Sequence, residues 1–151
     1  MKKIVIIGAS SGIGMRVATD FARLGWRVGI AARREEPLKA LKEKYPDRVE
    51  YLTIDVTTQD AVERFYKLIE LIDGMDYLLY AAGCGWRNPE LDAAVDEQTV
   101  LVNVYGFTRI INAAYKYYKQ TANLHRGHIA AITSVGGVKG IGISATYSAS
   151  K

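Results

Sequence analysis

The sequence predicts a doubly wound α/β fold, a parallel sheet with helices on both faces, and two observations carry that expectation. Short β-branched runs alternate with longer stretches of helical periodicity in the order βαβαβαβ, which right-handed crossovers wind into one sheet. Those runs are mostly continuous in apolar residues rather than alternating, the habit of strands covered on both faces. With 151 residues, 49% hydrophobic and 24% charged, the chain has the balance of one globular domain, 1–151, and not of a disordered or collagen-like polymer. At that length folding buries about 70% of the surface of the unfolded chain, so neither disulfides nor a structural metal is needed.

Strands are expected at residues 3–7, 27–32, 49–54, 76–81 and 128–133. Between the first two, Ile13, Val17, Phe21 and Leu24 recur at three- or four-residue spacing, and Gly25 stands where a left-handed cap ends a helix. Leu38 and Leu41 mark a second helix before Pro46, and Thr58 is placed to cap a third whose apolar positions are Val62, Phe65, Ile69 and Ile72. A fourth helical region, 97–118, is apolar on more than one side, through Val100, Leu101, Val104, Phe107, Ile110, Ile111, Ala114, Tyr115 and Tyr118. Either this domain buries it on several faces, or its second face packs on a partner subunit. A glycine-rich loop, 134–143, leads into a last helix at 144–151. A sheet stopping there keeps an unpaired edge, so the domain is expected to be C-terminally incomplete.

Several function classes are disfavoured by composition. Cys84 is the sole cysteine and there are two histidines, too few for a closed zinc site, so no metal is expected and a reducing cytoplasm is the default. The net charge of +4 is spread along the chain, which argues against nucleic acid as a partner. The apolar run 4–7 is cut at Gly8, too early for a signal peptide, and no stretch approaches the ~18 apolar residues of a membrane span. No membrane association is expected.

Residues 4–14 read as a strand, a turn carrying Gly8, Ser10, Ser11, Gly12 and Gly14, and the start of a helix at Ile13. Backbone amides at a helix start lack partners, and small residues let a pyrophosphate approach them; the helix dipole adds about 0.3–1 kcal/mol for an anion. The alternative is a tight structural turn in which Gly14 permits close packing. At the end of the second strand no carboxylate awaits a ribose hydroxyl. Arg33 and Arg34 stand there instead, and guanidinium forks pair with the oxygens of a phosphate, which favours NADP over NAD. Otherwise the two arginines are solvated charges entering a helix.

Tyr147 and Lys151 lie four positions apart, on one face of a helix. An ammonium beside a phenol favours the phenolate, so the pair could exchange a proton with a substrate hydroxyl near neutral pH. Taken alone, the spacing more often describes a half-buried tyrosine beside a surface lysine.

These motifs occur together, and in their order the whole chain resembles the short-chain dehydrogenase/reductases. Residues 8–14 are similar to that family's Gly-x-x-x-Gly-x-Gly cofactor turn, Asp55, followed by Val56, resembles its adenine-contacting aspartate, and Ala81-Ala82-Gly83 stands where it usually has Asn-Ala-Gly. Asn103, Ser134, Tyr147 and Lys151 resemble its catalytic tetrad. The resemblance implies a Rossmann-type fold and NADP(H) held by Gly8, Ser10, Ser11, Gly12, Ile13, Gly14, Arg33, Arg34, Asp55, Val56, Ala82, Gly83, Tyr147 and Lys151. It further implies hydride transfer between nicotinamide and a small-molecule carbonyl or secondary alcohol. In that scheme Tyr147 exchanges the proton, Ser134 hydrogen-bonds the developing alkoxide, Lys151 tunes the phenol and holds ribose hydroxyls, and Asn103 steadies a water chain. A homodimer or homotetramer is implied as well. Simpler roles exist for three of these residues: Ser134 capping a loop, Asn103 satisfying a mid-helix carbonyl, Asp55 shaping a turn. The competing function is a dinucleotide-binding sensor or scaffold without turnover. Ile7 and Ala81 depart from the family's usual threonine and asparagine, implying a sheet core with more apolar substitutes. Residues 84–89 are expected at the mouth of the site, with Trp86 either a ligand contact or a loop anchor and Cys84 a bystander.

Overall fold

The structure, a computed structural model, describes residues 1–121 and 126–151. Five parallel strands, β1 (Lys3–Ile7), β2 (Arg27–Ala32), β3 (Val49–Thr53), β4 (Tyr77–Tyr80) and β5 (His128–Ala131), lie in the order β3-β2-β1-β4-β5. The helices are α1 (Gly12–Arg23), α2 (Glu35–Lys44), α3 (Ala61–Leu71), α4 (Ala93–Val100), α5 (Phe107–Gln120) and α6 (Ala145–Ser150). From β1 the chain winds outward through β2 to β3, then crosses to the other side of β1 to lay down β4. That reversal opens a crevice beyond the carboxyl ends of β1 and β4, where ligands bind in folds of this type.

Two cores sandwich the sheet, and β1 feeds both because successive side chains point to opposite faces. Val5 and Ile7 pack with Phe65, Leu68 and Ile69 of α3 and Ile110 and Ala114 of α5. Ile4 and Ile6 pack with Ala18 and Ala22 of α1 and Leu38 and Leu41 of α2. A strand feeding two cores must be apolar at every position, which is why its sequence shows no alternation.

Continuous burial holds for β1, β2 and β4 but fails at the two edges. Most of β3 is only half-buried, and His128 and Ala131 of β5 are exposed, because an edge strand has a neighbour on one side only. Thr58 does not cap the third helix. α3 begins at Ala61 after Asp60, and the Thr58 hydroxyl bonds the Asp55 carbonyl and the Asp60 carboxylate instead. Gly25 does follow α1 with φ of +80°, the left-handed conformation that ends a helix.

The fourth helical region starts earlier than its periodicity suggests, at Ala93, where the Asp92 carboxylate accepts from the Ala94 amide. It is also not one regular helix. Leu101–Gly106 form a π-helical turn between α4 and α5, a local widening that is common at functional sites. Burial on several faces is not observed. Val102, Ile110, Ala114 and Tyr118 are buried, while Val100, Val104, Tyr105 and Tyr115 remain 43–52% exposed. Among the described residues no helix is long and apolar enough to cross a membrane.

Candidate active site

A cavity of about 660 Å³ occupies the crevice at the switch point. Its floor is the β1–α1 turn, with Gly8, Ser10, Ser11, Gly12, Ile13 and Gly14 all on the wall. Arg33 and Arg34 line it from the end of β2, Asp55 and Val56 from the end of β3, and Ala82 and Gly83 from the end of β4. Ile7, Ala32, Ile54, Val102 and Ile132, which sequence reasoning left out, complete the apolar wall. Each adjoins a strand end or the π-helical turn, and nothing in the sequence separates them from ordinary core residues.

Two glycines shape that floor. Gly8 has φ of +94°, and a Cβ on it would collide with the Ala82 backbone; a Cβ on Gly14 would run into the Gly8 carbonyl. The turn thus packs as closely as the structural alternative supposes; the Gly8 and Ala9 amides donate to the Ala31 carbonyl, and the amides at the start of α1 have no partner within the helix. The donor set suits a dinucleotide: small residues at a helix start, an apolar wall, and two exposed guanidinium groups on the same cavity. Arg34 already lies across the turn, donating to Ser11 Oγ at 3.0 Å and Ser10 Oγ at 3.2 Å. Arg33 is exposed beside it. Asp55 shapes a turn as well as the wall, its Oδ1 accepting from the Thr57 amide and hydroxyl at 3.0 and 2.7 Å.

A second cavity of about 410 Å³ shares Ala81 and Gly83 with the first, and here Tyr147 and Lys151 stand on the wall. Both are half-buried. Lys151 Nζ donates to the Ile132 carbonyl at 3.0 Å and lies 3.2 Å from the point where a Cβ on Gly83 would stand. The Tyr147 ring lies against Gly85, where a larger residue would collide with its Cδ2 and Cε2 edge. Ser134 Oγ accepts from the Gly136 amide at 3.1 Å, so it does cap the loop. Ser134 Oγ and Tyr147 Cε1 are each 3.4 Å from the point where a Cβ on Gly136 would stand, so the hydroxyl and the phenol ring face one small space.

Asn103 lines neither cavity. It is buried in the π-helical turn, where its amide accepts from the Cys84 N–H at 2.9 Å and donates to the Cys84 carbonyl at 2.7 Å. Its second N–H donates to Ser150 Oγ at 2.8 Å. The carbonyl that Asn103 satisfies therefore belongs to the β4–α4 segment, not to its own helix. Ser150 was missed by sequence reasoning, since nothing local distinguishes it from Ser148. Cys84 lines the second cavity; burial pushes its thiol above the ordinary cysteine range, and Arg33 and Lys151 pull it part of the way back.

A family model described as short chain dehydrogenase matches residues 2–151. An uncharacterized oxidoreductase of Mycobacterium tuberculosis is 34% identical over 160 residues, covering 99% of this chain and 62% of that relative. The chain thus spans less than two thirds of that curated relative's length. The crystal structure of a short chain dehydrogenase from Mycobacterium smegmatis superposes with a TM-score of 0.90 at 26% identity, covering 99% of this chain and 64% of that one. A 3-ketoacyl-(acyl-carrier-protein) reductase from Brucella melitensis, solved with NADH, gives a TM-score of 0.90 at 24% identity, covering 99% and 63%, a likeness of fold.

Proposed function

Because this chain belongs to the short-chain dehydrogenase/reductase family, we propose that it is an NADP(H)-dependent oxidoreductase interconverting a carbonyl and a secondary alcohol. The observation that carries this reading is the shared wall of the two cavities. The glycine turn lines one, Tyr147 and Lys151 line the other, and Gly83 belongs to both.

The β1–α1 turn would hold the pyrophosphate on the amides at the start of α1, and Asp55 and Val56 would flank the adenine. Arg33 and Arg34 would receive the 2′-phosphate; Arg34 can turn from Ser10 and Ser11 towards an anion, because its present bonds are to two neutral hydroxyls and the Ser10 carbonyl. Bound nicotinamide supplies or takes up the hydride. Tyr147 Oη gives its proton to the carbonyl oxygen in reduction and takes it back in oxidation. Lys151 Nζ would hold the ribose hydroxyls, while its bond to the Ile132 carbonyl keeps the stem in place. Ser134 Oγ steadies the substrate oxygen as negative charge develops. The Asn103 side chain is fully engaged with Cys84 and Ser150, so in this scheme it acts by bracing the two walls against each other.

NADPH fluorescence titration followed by a panel of ketones and aldehydes tests the reading. Binding with turnover, and loss of at least a hundredfold in kcat for Tyr147→Phe with NADPH affinity kept, is the expected result. Binding with no turnover, or a Tyr147→Phe chain as active as the parent, favours the non-catalytic sensor.

A further inference from the structure

The second cavity has on its wall an exposed cation that the proton-transfer scheme does not use. Arg87 lines it together with Trp86, Ile141, Ser144, Tyr147 and Lys151, and among the described residues its guanidinium has no hydrogen-bond or ion-pair partner. Of the acids that follow it in sequence, Glu90 is exposed and forms no ion pair with it among the described residues, and Asp92 and Asp96 are engaged elsewhere. Asp92 Oδ1 accepts from the Ala94 amide at 2.8 Å, and Asp96 Oδ1 from Asn88 Nδ2 at 2.9 Å. The cavity wall itself holds two cations, Arg87 and Lys151, and no aspartate or glutamate.

Arg87 is exposed, but its backbone is held on both sides. Its neighbour Trp86 accepts at its carbonyl from the Ser144 hydroxyl at 3.1 Å. Its other neighbour, Asn88, is 6% exposed and donates its N–H to the Ile143 carbonyl at 2.7 Å. The Asn88 side chain is also fully bonded, accepting from the Asp92 amide at 2.8 Å and donating to the Asp92 carbonyl at 3.0 Å and to Asp96. Residues 143 and 144 lead directly into α6, which carries Tyr147. The segment bearing Arg87 is therefore bonded to the approach of the helix bearing the phenol, on either side of the arginine. A charge on a braced segment can meet a ligand without ordering the backbone first.

We propose that Arg87 binds a carboxylate on the substrate, so that this site accepts carbonyl or alcohol compounds that are also carboxylic acids. The inference rests on the proposed function, since it assigns the reacting end of the same molecule to Tyr147. A planar guanidinium matches a carboxylate with two parallel hydrogen bonds. Trp86 and Ile141, 48% and 40% exposed, supply apolar surface for the carbon chain between the two ends.

Binding calorimetry on the NADP-loaded chain tests this without requiring turnover, using pyruvate, acetoacetate and levulinate, each beside its methyl ester. At least one acid is expected to bind tenfold or more tightly than its ester. Arg87→Leu should erase that preference and Arg87→Lys restore part of it, with NADP affinity unchanged in both, since Arg87 lies outside the dinucleotide cavity. Acids and esters binding alike, no acid binding measurably, or a preference that survives Arg87→Leu each overturns the proposal. If the acid preference depends on Arg87 yet no compound of the series is reduced with NADPH, the anion site stands and the assigned chemistry falls.

Discussion

Asn103 Nδ2 donates a 2.8 Å hydrogen bond to Ser150 Oγ across 47 positions of sequence, and Ser150 Oγ in turn donates to the Tyr147 carbonyl at 2.8 Å. Through this pair the π-helical turn is tied to the helix carrying the phenol and the ammonium. The other end of the Asn103 amide clamps the Cys84 backbone in both directions, so the segment leaving β4 and helix α6 share one anchor.

That anchor predicts unequal costs for its two members. Asn103→Ala leaves the Cys84 N–H and carbonyl without their partner and should lower unfolding stability by about 2–4 kcal/mol, whereas Ser150→Ala should cost about 1 kcal/mol. Urea denaturation of both variants measures the difference. In the reaction scheme Ser150→Ala should lower kcat while leaving NADPH affinity in place, with Ser150→Thr recovering part of the rate. Equal destabilisation by the two alanines would contradict the two-sided clamp.

Gly14→Ala places a methyl against the Gly8 carbonyl in the tightest part of the β1–α1 turn. Overpacking of this kind costs about 1–3 kcal/mol, and the displaced turn should bind NADPH at least tenfold more weakly. Thermal melting and fluorescence titration read the two effects; a variant that matches the parent in both would show that the turn yields more easily than its contacts indicate.

Cofactor choice should reside in the arginine pair. Arg34→Ala is expected to weaken NADPH binding by on the order of tenfold or more, the worth of a charge-assisted hydrogen bond, while NADH binding changes little. The double change of Arg33 and Arg34 to alanine should remove the preference altogether. Parallel titrations with the two cofactors decide it, and an equal loss for both would assign the arginines to structure.

Alkaline pH should destabilise the fold through Tyr80. Burial first, then the nearby Cys84 and Asp55, hold its phenol well above the ordinary tyrosine value of 10.0. A group that keeps its proton more tightly when folded contributes stability that is fully present below the unfolded value and lost as pH rises from there towards the folded value. Melting temperature should therefore fall above about pH 10, and the fall should be shallower for Tyr80→Phe. Tyr118, raised by burial in the same way, leaves a residual slope. Identical pH profiles for parent and variant would remove Tyr80 from this account.

The uncovered face of α4 and α5 predicts self-association. Val100 at the end of α4, Val104 in the π-helical turn and Tyr115 in α5 are apolar or aromatic side chains that are all at least 43% exposed. Sedimentation of the chain should give a dimer or larger species, and Val104→Asp should shift it towards monomer without lowering monomer stability. A parent that sediments as a monomer at high concentration would leave the face without this role.

Much of the molecule was legible because it is written locally. The turn at 8–14, the unalternating strands and the left-handed Gly25 each follow from backbone sterics or from the period of neighbouring side chains, so a short window of sequence suffices. The twelve residues assigned to the dinucleotide from the strand ends and the first turn all line one cavity, because strands wound in this order must bring their carboxyl ends together.

What tertiary structure alone decided are the relationships between windows. Asn103 was legible as a polar residue in an apolar helix, yet its partners, 19 and 47 positions away, depend on how the chain returns. Ser150 acquired its place the same way, from Asn103 reaching across 47 positions, and Arg87 from the Ser144 hydroxyl reaching the Trp86 carbonyl across 58 positions and the Asn88 amide reaching Ile143. The early start of α4, the π-helical turn and the thin cover of β5 likewise reflect what each segment meets in space. A hydrogen bond or an apolar contact is worth its free energy only when its partner arrives, and sequence spacing carries no record of arrivals from far along the chain.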